Sequence, residues 1–281
     1  MKPIVAVIAP GNMGAGVGRR LGEHGLEVRT SLAGRSGATA ARAEAAGMIA
    51  VNDEAIAEAE IILSIVPPAD ALGLAERLAP VLSRTKRKPI YIDCNAISPE
   101  TAARVAAAVA PTGCAFVDAG IIGNPPQPGG TGPTFYAAGA EAGSFARLCA
   151  PALEIKLLDG PVGTASALKM SYAGITKGMT ALATAMILAA TKAGVAGALA
   201  EELAASQAAL LKTFTRSVPG MFPKAYRWVA EMEEIAAFSG DPATNEIYRG
   251  VAALYERVAR DVAGPNQDTE ALRNFFKLIS D

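Results

Sequence analysis

The sequence predicts an α/β domain with a doubly wound, mostly parallel sheet, followed by an all-α domain. In the N-terminal part, short β-branched runs alternate with helical stretches, which is the pattern of a parallel sheet covered by helices on both faces. From about residue 165 the strand-like runs stop and long Ala-rich helical stretches follow. Helix-breaking residues cluster at 160–163, so we predict a first domain at residues 1–163 and a second at 164–281.

A strand, a Gly-containing turn and a helix open the chain. Ile4–Ile8 is a nearly unbroken apolar run typical of a buried strand, and helical periodicity starts at Asn12. This order is typical of the Rossmann dinucleotide-binding turn, in which N–H groups at a helix N-terminus face a pyrophosphate. Gly11 would let a cofactor approach the backbone, and Gly14 would let the helix pack on the strand. Ala9 replaces the first Gly of the usual fingerprint, so an ordinary strand–helix turn remains the alternative. The candidate cofactor contacts in this turn are Pro10, Gly11, Asn12, Met13 and Gly14.

Further strands and helices continue the alternation. Strands are predicted at 27–32, 61–66, 90–93, 115–118 and 135–138, and first-domain helices at 40–46, 52–59, 69–82 and 98–110. Helices of the second domain are predicted at 165–193, 198–214, 224–238, 245–263 and 269–279. The first of these is long and rich in Ala and Leu. We therefore expect it to pack against a second subunit and to build a homodimer through the helical domain.

Composition and charge argue against several classes of function. A formal net charge of −1 gives no basis for nucleic-acid binding, and the longest weakly charged run, 178–191, is too short to span a bilayer. No signal peptide is recognised, and three cysteines without metal-ligand spacing fit a reducing cytoplasm. Since His24 is the single histidine, the chain offers almost none of the residues that a zinc site or a Ser-His-Asp triad needs. We expect a cytoplasmic protein with a small-molecule substrate and no metal, nucleic-acid or membrane partner.

Five motifs occur in order along the chain and resemble the β-hydroxyacid dehydrogenase superfamily. That superfamily includes the 6-phosphogluconate and 3-hydroxyisobutyrate dehydrogenases and, more distantly, the imine reductases. The motifs are the turn at 11–14, Ser-Ile-Val-Pro-Pro at 64–68, Asp-Cys-Asn-Ala-Ile-Ser-Pro at 93–99, Asp-Ala-Gly-Ile-Ile-Gly at 118–123, and Gly160-x-x-Gly163 leading to Lys169. Arg227-Trp228 with Glu-Met-Glu-Glu-Ile at 231–235 resembles an uncharacterised subfamily of 6-phosphogluconate-dehydrogenase-like proteins.

The resemblance implies that Lys169 is the catalytic residue, transferring the substrate proton as hydride moves. A solvated helix lysine is the alternative interpretation. Two positions depart from the family pattern: Ala173 stands where the family has Asn, and Ile122 stands where it has Ser. A site without these polar anchors should bind a less polar substrate. Lys177, two turns after Lys169, is expected to tolerate substitution at little cost. The candidate substrate contacts are Gly120, Ile121, Ile122, Gly123, Asn124, Tyr172 and Ala173.

Cofactor choice depends on the loop after the second strand. NAD enzymes usually place a carboxylate there, whereas this chain has Leu-Ala-Gly-Arg-Ser at 32–36. Arg35 can hold a 2′-phosphate bidentately with help from Ser36, which favours NADP(H) over NAD(H). The alternative is a solvent-facing loop arginine. Further cofactor contacts are predicted at Val66, Pro67 and Asn95.

The sequence thus favours an NADP-dependent oxidoreductase acting on a small hydroxy or carbonyl compound, with Lys169 as general acid and base. Reduction of a C=N bond is a second enzyme hypothesis. A nucleotide-binding sensor or scaffold without turnover is a third, because Ala173 and Ile122 replace polar family residues.

Overall fold

Eight strands form one sheet in the computed structural model, which describes residues 2–279. The strands are β1 (Ile4–Ile8), β2 (Glu27–Thr30), β3 (Ile49–Ala50), β4 (Ile61–Ser64), β5 (Ile90–Asp93), β6 (Ala115–Ile122), β7 (Thr134–Ala138) and β8 (Glu154–Leu157). Their spatial order is β3-β2-β1-β4-β5-β6-β7-β8, and β7 runs antiparallel to β6. The pairings from β3 through β6 are parallel, so the doubly wound, mostly parallel prediction is confirmed. The chain reverses its winding direction between β1 and β4, which is the switch point where such sheets bind ligands.

Helices cover both faces of this sheet. Alternate residues of β1 point to opposite faces: Val5 and Val7 join one buried cluster with Leu21, while Ile8 joins the other with Leu78. Two hydrophobic cores therefore lie on the two faces of one sheet. The covering helices are α1 (Asn12–Glu23), α2 (Gly37–Ala45), α3 (Asp53–Ala57), α4 (Ala71–Arg84), α5 (Pro99–Val109) and α6 (Ala142–Cys149).

Three elements of this sheet unit were not predicted: β3, α6 and β8. The two residues of β3 are exposed, and three of the four residues of β8 are exposed, so neither strand has a buried face that would give an apolar pattern. Both are edge strands, and their pairing to β2 and β7 decides their conformation. Helix starts were easier to predict because caps are local: Ser98 Oγ accepts from Thr101 N at 3.2 Å.

Helices make up most of the described residues that follow β8. They are α7 (Thr164–Lys192), α8 (Ala196–Ser206), α9 (Ala208–Met221), α10 (Ala225–Phe238), α11 (Pro242–Val262) and α12 (Gln267–Lys277). The single helix predicted at 198–214 is two helices, because the backbone breaks at Gln207, where φ is −137° and ψ is 40°. The chain divides into two compact units, Met1–Met170 and Ser171–Asp281. Thus the first turns of α7 belong with the sheet.

Lys177, expected to be an inconsequential lysine, lies in a half-buried ion pair of the helical unit. Its ammonium pairs with Glu231 Oε2, and their side chains are 15% and 8% exposed. The same ammonium lies 4.6 Å from the centroid of the Trp228 ring, and the Tyr255 hydroxyl donates to the Lys177 carbonyl at 2.6 Å. Removing one partner of such a pair costs on the order of 3–5 kcal/mol. This placement argues against a low cost for substituting Lys177, and the exposed Lys192 is the better control.

Helix α7 is long and apolar enough to cross a membrane by length and composition alone, with 39% of its most apolar window buried. A core helix of a soluble protein can pass the same test. The weakly charged run 178–191 covers only part of this helix, which was predicted at 165–193 and has 29 residues at Thr164–Lys192.

Candidate functional site

The candidate site lies at the carboxyl edge of the sheet. Strands β1, β4, β5 and β6 are parallel neighbours, so the segments that follow them meet at one edge. These segments contain most of the predicted contacts of the sheet unit. Lys169, at the start of α7, also belongs to this unit.

The turn between β1 and α1 has the geometry of a dinucleotide-binding turn. A Cβ added at Gly14 would lie 2.2 Å from the Ala9 carbonyl oxygen, so this position needs glycine for helix and strand to pack. Gly11 is the N-cap of α1, it has no side chain to cap the helix, and a Cβ there would meet nothing within 4 Å. The N-terminus of α1 therefore has open space for an anionic group, and the residues present fit a dinucleotide cofactor. Gly11 and Asn12 are exposed, and Met13 is half-buried.

The loop between β2 and α2 presents Arg35, and the last turn of α2 presents Arg42. Arg35 is exposed, and Ser36 caps α2 by accepting from Thr39 N at 3.3 Å. Arg42, which the sequence analysis missed, donates from Nη2 to Thr39 Oγ1 at 3.0 Å and from Nε to the Pro10 carbonyl at 3.3 Å. Arg42 thus ties α2 to the β1–α1 turn. The signal available in the sequence was a second arginine seven residues after Arg35, with no carboxylate between them.

Asn95 connects the ends of β4 and β5 from a buried position. Its Oδ1 accepts from Val66 N at 2.7 Å, and its Nδ2 donates to Ser64 Oγ at 2.8 Å and to Asp93 Oδ2 at 2.9 Å. In this conformation the side chain positions the strand ends, and both amide hydrogens are already used. Its predicted contact with the cofactor stays a prediction. Val66 is buried, and Pro67 is exposed.

Asp93 is fully buried beside Asn95. Burial raises the pKa of its carboxyl to about 7, although the hydrogen bonds from the Asn95 backbone and side chain act in the opposite direction. Asp93 pairs in register with Asp118 on the neighbouring strand, and that second carboxylate raises the pKa of Asp93 further.

Lys169 is held against the end of β6. Its ammonium donates to the Ile121 carbonyl at 2.9 Å, and the residue is half-buried. A Cβ at Gly120 would lie 3.0 Å from the Lys169 Cβ and 3.0 Å from the Ala165 carbonyl oxygen, so α7 approaches β6 closely there. Lys169 is therefore not the fully solvated lysine of the alternative interpretation. Ile121 is buried and Ile122 is half-buried.

A Pro- and Gly-rich loop, residues 123–133, follows β6 and is fastened to α1. Arg19 donates to the Pro126 carbonyl at 3.1 Å, and Arg20 donates to the Gly130 carbonyl at 2.7 Å. A Cβ at Gly16 would come within 3.0 Å of Pro126. The exposed Gly123 and Asn124 begin this loop, so the candidate substrate segment and the cofactor helix are joined.

Tyr172 and Ala173 follow Lys169 in α7, in the helical unit. Tyr172 is 48% exposed and Ala173 is 1% exposed. Their predicted contacts with substrate stay predictions. Within residues 2–279, no cluster of three His, Cys, Asp or Glu side chains could hold a metal ion.

Asp118 is the residue at this edge that sequence reasoning quoted but left without a role. It lies on β6, is 1% exposed, and accepts from backbone N–H groups of Gly163, Ala165 and Ser166 at the start of α7. The sequence contained one indication of this role. The first turn of α7 has no acidic residue, so its N–H groups need an acceptor from another segment.

Residues 4–155 match the NAD binding domain of 6-phosphogluconate dehydrogenase. The chain belongs to this family. Residues 190–258 match a domain of unknown function, DUF1932. The family resemblance found in the sequence is therefore confirmed, and the chain belongs to an NAD(P)-dependent dehydrogenase family.

Proteins that are similar to this chain in sequence or in structure include named oxidoreductases. A 3-hydroxyisobutyrate dehydrogenase of Pseudomonas aeruginosa is 37% identical over 101 residues, which is 34% of this chain and 32% of that protein. A solved protein of unknown function with structural similarity to 3-hydroxyacid dehydrogenases is 28% identical, with a TM-score of 0.68 over 93% of this chain and 99% of that one.

An imine reductase of Myxococcus stipitatus shares the fold. Its complex with NADP+ is 19% identical with a TM-score of 0.53, covering 98% of this chain and 99% of that one. A variant of it, in complex with NAD+, is 20% identical with a TM-score of 0.56, covering 98% and 100%. Structures of this fold thus include complexes with either dinucleotide.

Proposed function

We propose that this protein is an NADP-dependent oxidoreductase that interconverts a small hydroxy compound and its carbonyl form, with Lys169 as general acid and base. The observation that supports this most is the placement of the Lys169 ammonium. It lies at the carboxyl edge of the sheet, 2.9 Å from the Ile121 carbonyl, in the same unit as the β1–α1 turn. A bound nicotinamide dinucleotide would supply the hydride acceptor or donor.

Lys169 would manage the proton that accompanies hydride transfer. In oxidation its neutral amine accepts the hydroxyl proton, and in reduction its ammonium returns a proton to the carbonyl oxygen. The Ile121 carbonyl can accept a hydrogen bond from either form of Lys169, so the side chain can stay in place through the cycle.

The preference for NADP rests on charge in the β2–α2 loop. Arg35 is exposed there, and Arg42 in the following helix α2 is anchored by its bonds to Thr39 and Pro10. Residues 31–43 contain two arginines and no carboxylate. Two guanidinium groups favour a 2′-phosphate over free ribose hydroxyls.

We propose that the substrate is less polar than the substrates of hydroxyacid dehydrogenases that keep the family pattern. Ile122 replaces a hydroxyl with a hydrocarbon side chain at the end of β6, and it remains half-buried. A carboxylate brought against Ile122 would lose hydration without gaining a hydrogen bond there.

We also propose a homodimer built on α7. Its large apolar residues recur at spacings of three and four, and they are 39–65% exposed. This spacing is that of a helix–helix seam, and a second copy of the same helix offers a matching surface. The residues are Tyr172, Ile175, Met179, Leu182 and Met186. The cytoplasm is the proposed location, since the three cysteines are free and buried.

The test combines cofactor binding with turnover. Thermal shift with NADPH and NADH identifies the cofactor, and absorbance of the reduced nicotinamide is then followed over panels of aldehydes, keto acids and cyclic imines. We expect turnover of carbonyl compounds with NADPH, and Lys169→Ala should lower kcat by roughly 10²–10⁴-fold. The matched control is Lys192→Ala, an exposed lysine of the same helix.

Each other outcome selects another hypothesis. Turnover of imines alone, with Lys169→Ala fully active, would favour the C=N reductase. NADPH binding without turnover of any panel member would favour the sensor or scaffold. A thermal shift with neither dinucleotide would overturn the proposal.

A further inference from the structure

We infer that Asp118 is a positioning residue for Lys169, acting from β6 through the N-terminus of α7. The inference rests on the proposed role of Lys169. Asp118 does not touch the Lys169 ammonium in this arrangement. It fixes the backbone from which Lys169 projects.

The cap on α7 comes from a neighbouring strand. Asp118 Oδ2 accepts from Gly163 N at 2.9 Å, Ala165 N at 2.8 Å and Ser166 N at 3.1 Å, and Oδ1 accepts from Ser166 Oγ at 2.6 Å. Helices usually obtain this acceptor from their own N-cap side chain, but here the preceding residue is Gly163, which has none. The carboxylate also opposes the positive end of the helix dipole.

The same strand makes two further contacts with the beginning of α7. Gly120, two residues after Asp118, leaves space for the Lys169 Cβ, and the Ile121 carbonyl accepts from the ammonium. One rigid strand therefore fixes the helix start, the Lys169 stem and its charged end. Because Asp118 and Ser166 are each 1% exposed, water cannot replace the carboxylate without rearrangement.

A positioning role predicts that the shape of the acceptor matters more than its charge. In Asp118→Asn, the amide oxygen can still accept from the backbone N–H groups, and the Ser166 hydroxyl can turn to accept from the new NH₂ group. Asp118→Ala leaves the three N–H groups buried without an acceptor, so the first turn of α7 must shift. A shift of about 1 Å in a reacting group can cost about 10²-fold in rate.

The first experiment requires no substrate. The cofactor-free full chain is treated with trinitrobenzenesulfonate, and labelling of each lysine is followed by peptide mass spectrometry, with the exposed Lys192 as internal reference. We expect labelling of Lys169 to rise several-fold in Asp118→Ala and to stay close to wild type in Asp118→Asn. The matched control is Asp159→Ala, an exposed aspartate just before α7. Unchanged labelling of Lys169 in folded Asp118→Ala would overturn the inference.

The second experiment uses the best substrate of the carbonyl panel with NADPH. We expect Asp118→Ala to lower kcat by about 10²-fold and to show a larger solvent deuterium isotope effect, while its Kd for NADPH stays within a few-fold of wild type. Asp118→Asn should recover most of the rate. A loss of active protein alone would lower kcat without changing the isotope effect, and that result would overturn the inference.

A second variant keeps the test valid if Asp118→Ala does not fold. Gly120→Ala places a methyl group 3.0 Å from the Lys169 Cβ and should produce the same pattern: faster labelling, lower kcat and retained NADPH binding. Wild-type labelling and isotope effect in that variant would count against the inference. If wild type turns over nothing, the proposed function fails while the labelling experiment still decides whether Asp118 holds Lys169.

Discussion

The two glycines of the β1–α1 turn should fail in different ways when each is replaced by alanine. A Cβ at Gly14 would lie 2.2 Å from the carbonyl oxygen of Ala9, a backbone atom that also accepts from Gly11 N at 2.8 Å. Relief of this clash must move the helix or break the turn. Overpacking of this kind costs roughly 1–3 kcal/mol, and we expect the upper end because no flexible side chain can yield.

Gly11 offers the matched comparison. Its φ of −68° suits alanine, and the new methyl group would meet nothing within 4 Å. Lower entropy of the unfolded chain offsets the poorer N-cap, so the stability of Gly11→Ala should stay close to wild type. The methyl group would occupy space proposed for the pyrophosphate, so NADPH should bind about tenfold more weakly or worse, a loss of about 1.4 kcal/mol or more.

Thermal unfolding by circular dichroism and NADPH titration by fluorescence measure both effects. Gly14→Ala should lower Tm by about 6–12 °C, taking about 3 kcal/mol and about 2–4 °C per kcal/mol for a unit of this size. Gly11→Ala should change Tm by no more than about 3 °C. The packing argument fails if Gly14→Ala keeps the wild-type Tm, and the cofactor placement fails if Gly11→Ala keeps the wild-type Kd.

Three other predictions concern charge, pH and assembly. Arg35→Ala should weaken NADPH binding by about tenfold or more, since charge-assisted hydrogen bonds contribute roughly 1.5–3 kcal/mol. NADH binding should change little, and equal weakening of both cofactors in titrations would contradict the assignment. Burial raises the pKa of Asp93 to about 7, so between about pH 4 and 7 the native state binds a proton that the unfolded state has lost. The free energy of unfolding should therefore fall, by on the order of a few kcal/mol, as pH rises through this range. Urea unfolding at pH 5 and 8 should show this fall in wild type and a smaller one in Asp93→Asn; equal falls would refute it. Sedimentation velocity at micromolar concentration should show a wild-type dimer and a monomeric Leu182→Glu; a monomeric wild type would reject the α7 seam.

Local signals explain why much of the sheet unit was predictable. Strand β1 was predicted at its observed bounds, Ile4–Ile8, because a strand buried on both faces must be apolar throughout. The N-cap at Ser98 and the close packing at Gly14 also depend on a few neighbouring residues. Edge strand β8 could not be found in the same way, since three of its four residues are exposed and its pairing partner β7 decides its conformation.

The two lysines of α7 mark the limit of sequence reasoning. Both Lys169 and Lys177 lie in an Ala-rich helix, and the residues beside each lysine do not show which group its ammonium contacts. Contacts with distant residues separate them: Lys177 pairs with Glu231, 54 positions away, whereas Lys169 donates to the carbonyl of Ile121, 48 positions before it. Helical periodicity gives the face of a side chain but not the partner that meets it.

By itself, the sequence determined the order of strands and helices, the dinucleotide-binding turn and the family, because apolar periodicity, caps and glycine requirements are properties of short segments. Only the tertiary structure decided that Asp118 caps α7, that Arg42 joins α2 to the β1–α1 turn, and that Asn95 holds two strand ends together. In each case a polar side chain bonds to a backbone group on a different element. Such a bond depends on which elements the fold brings together, and local sequence preferences do not encode that proximity.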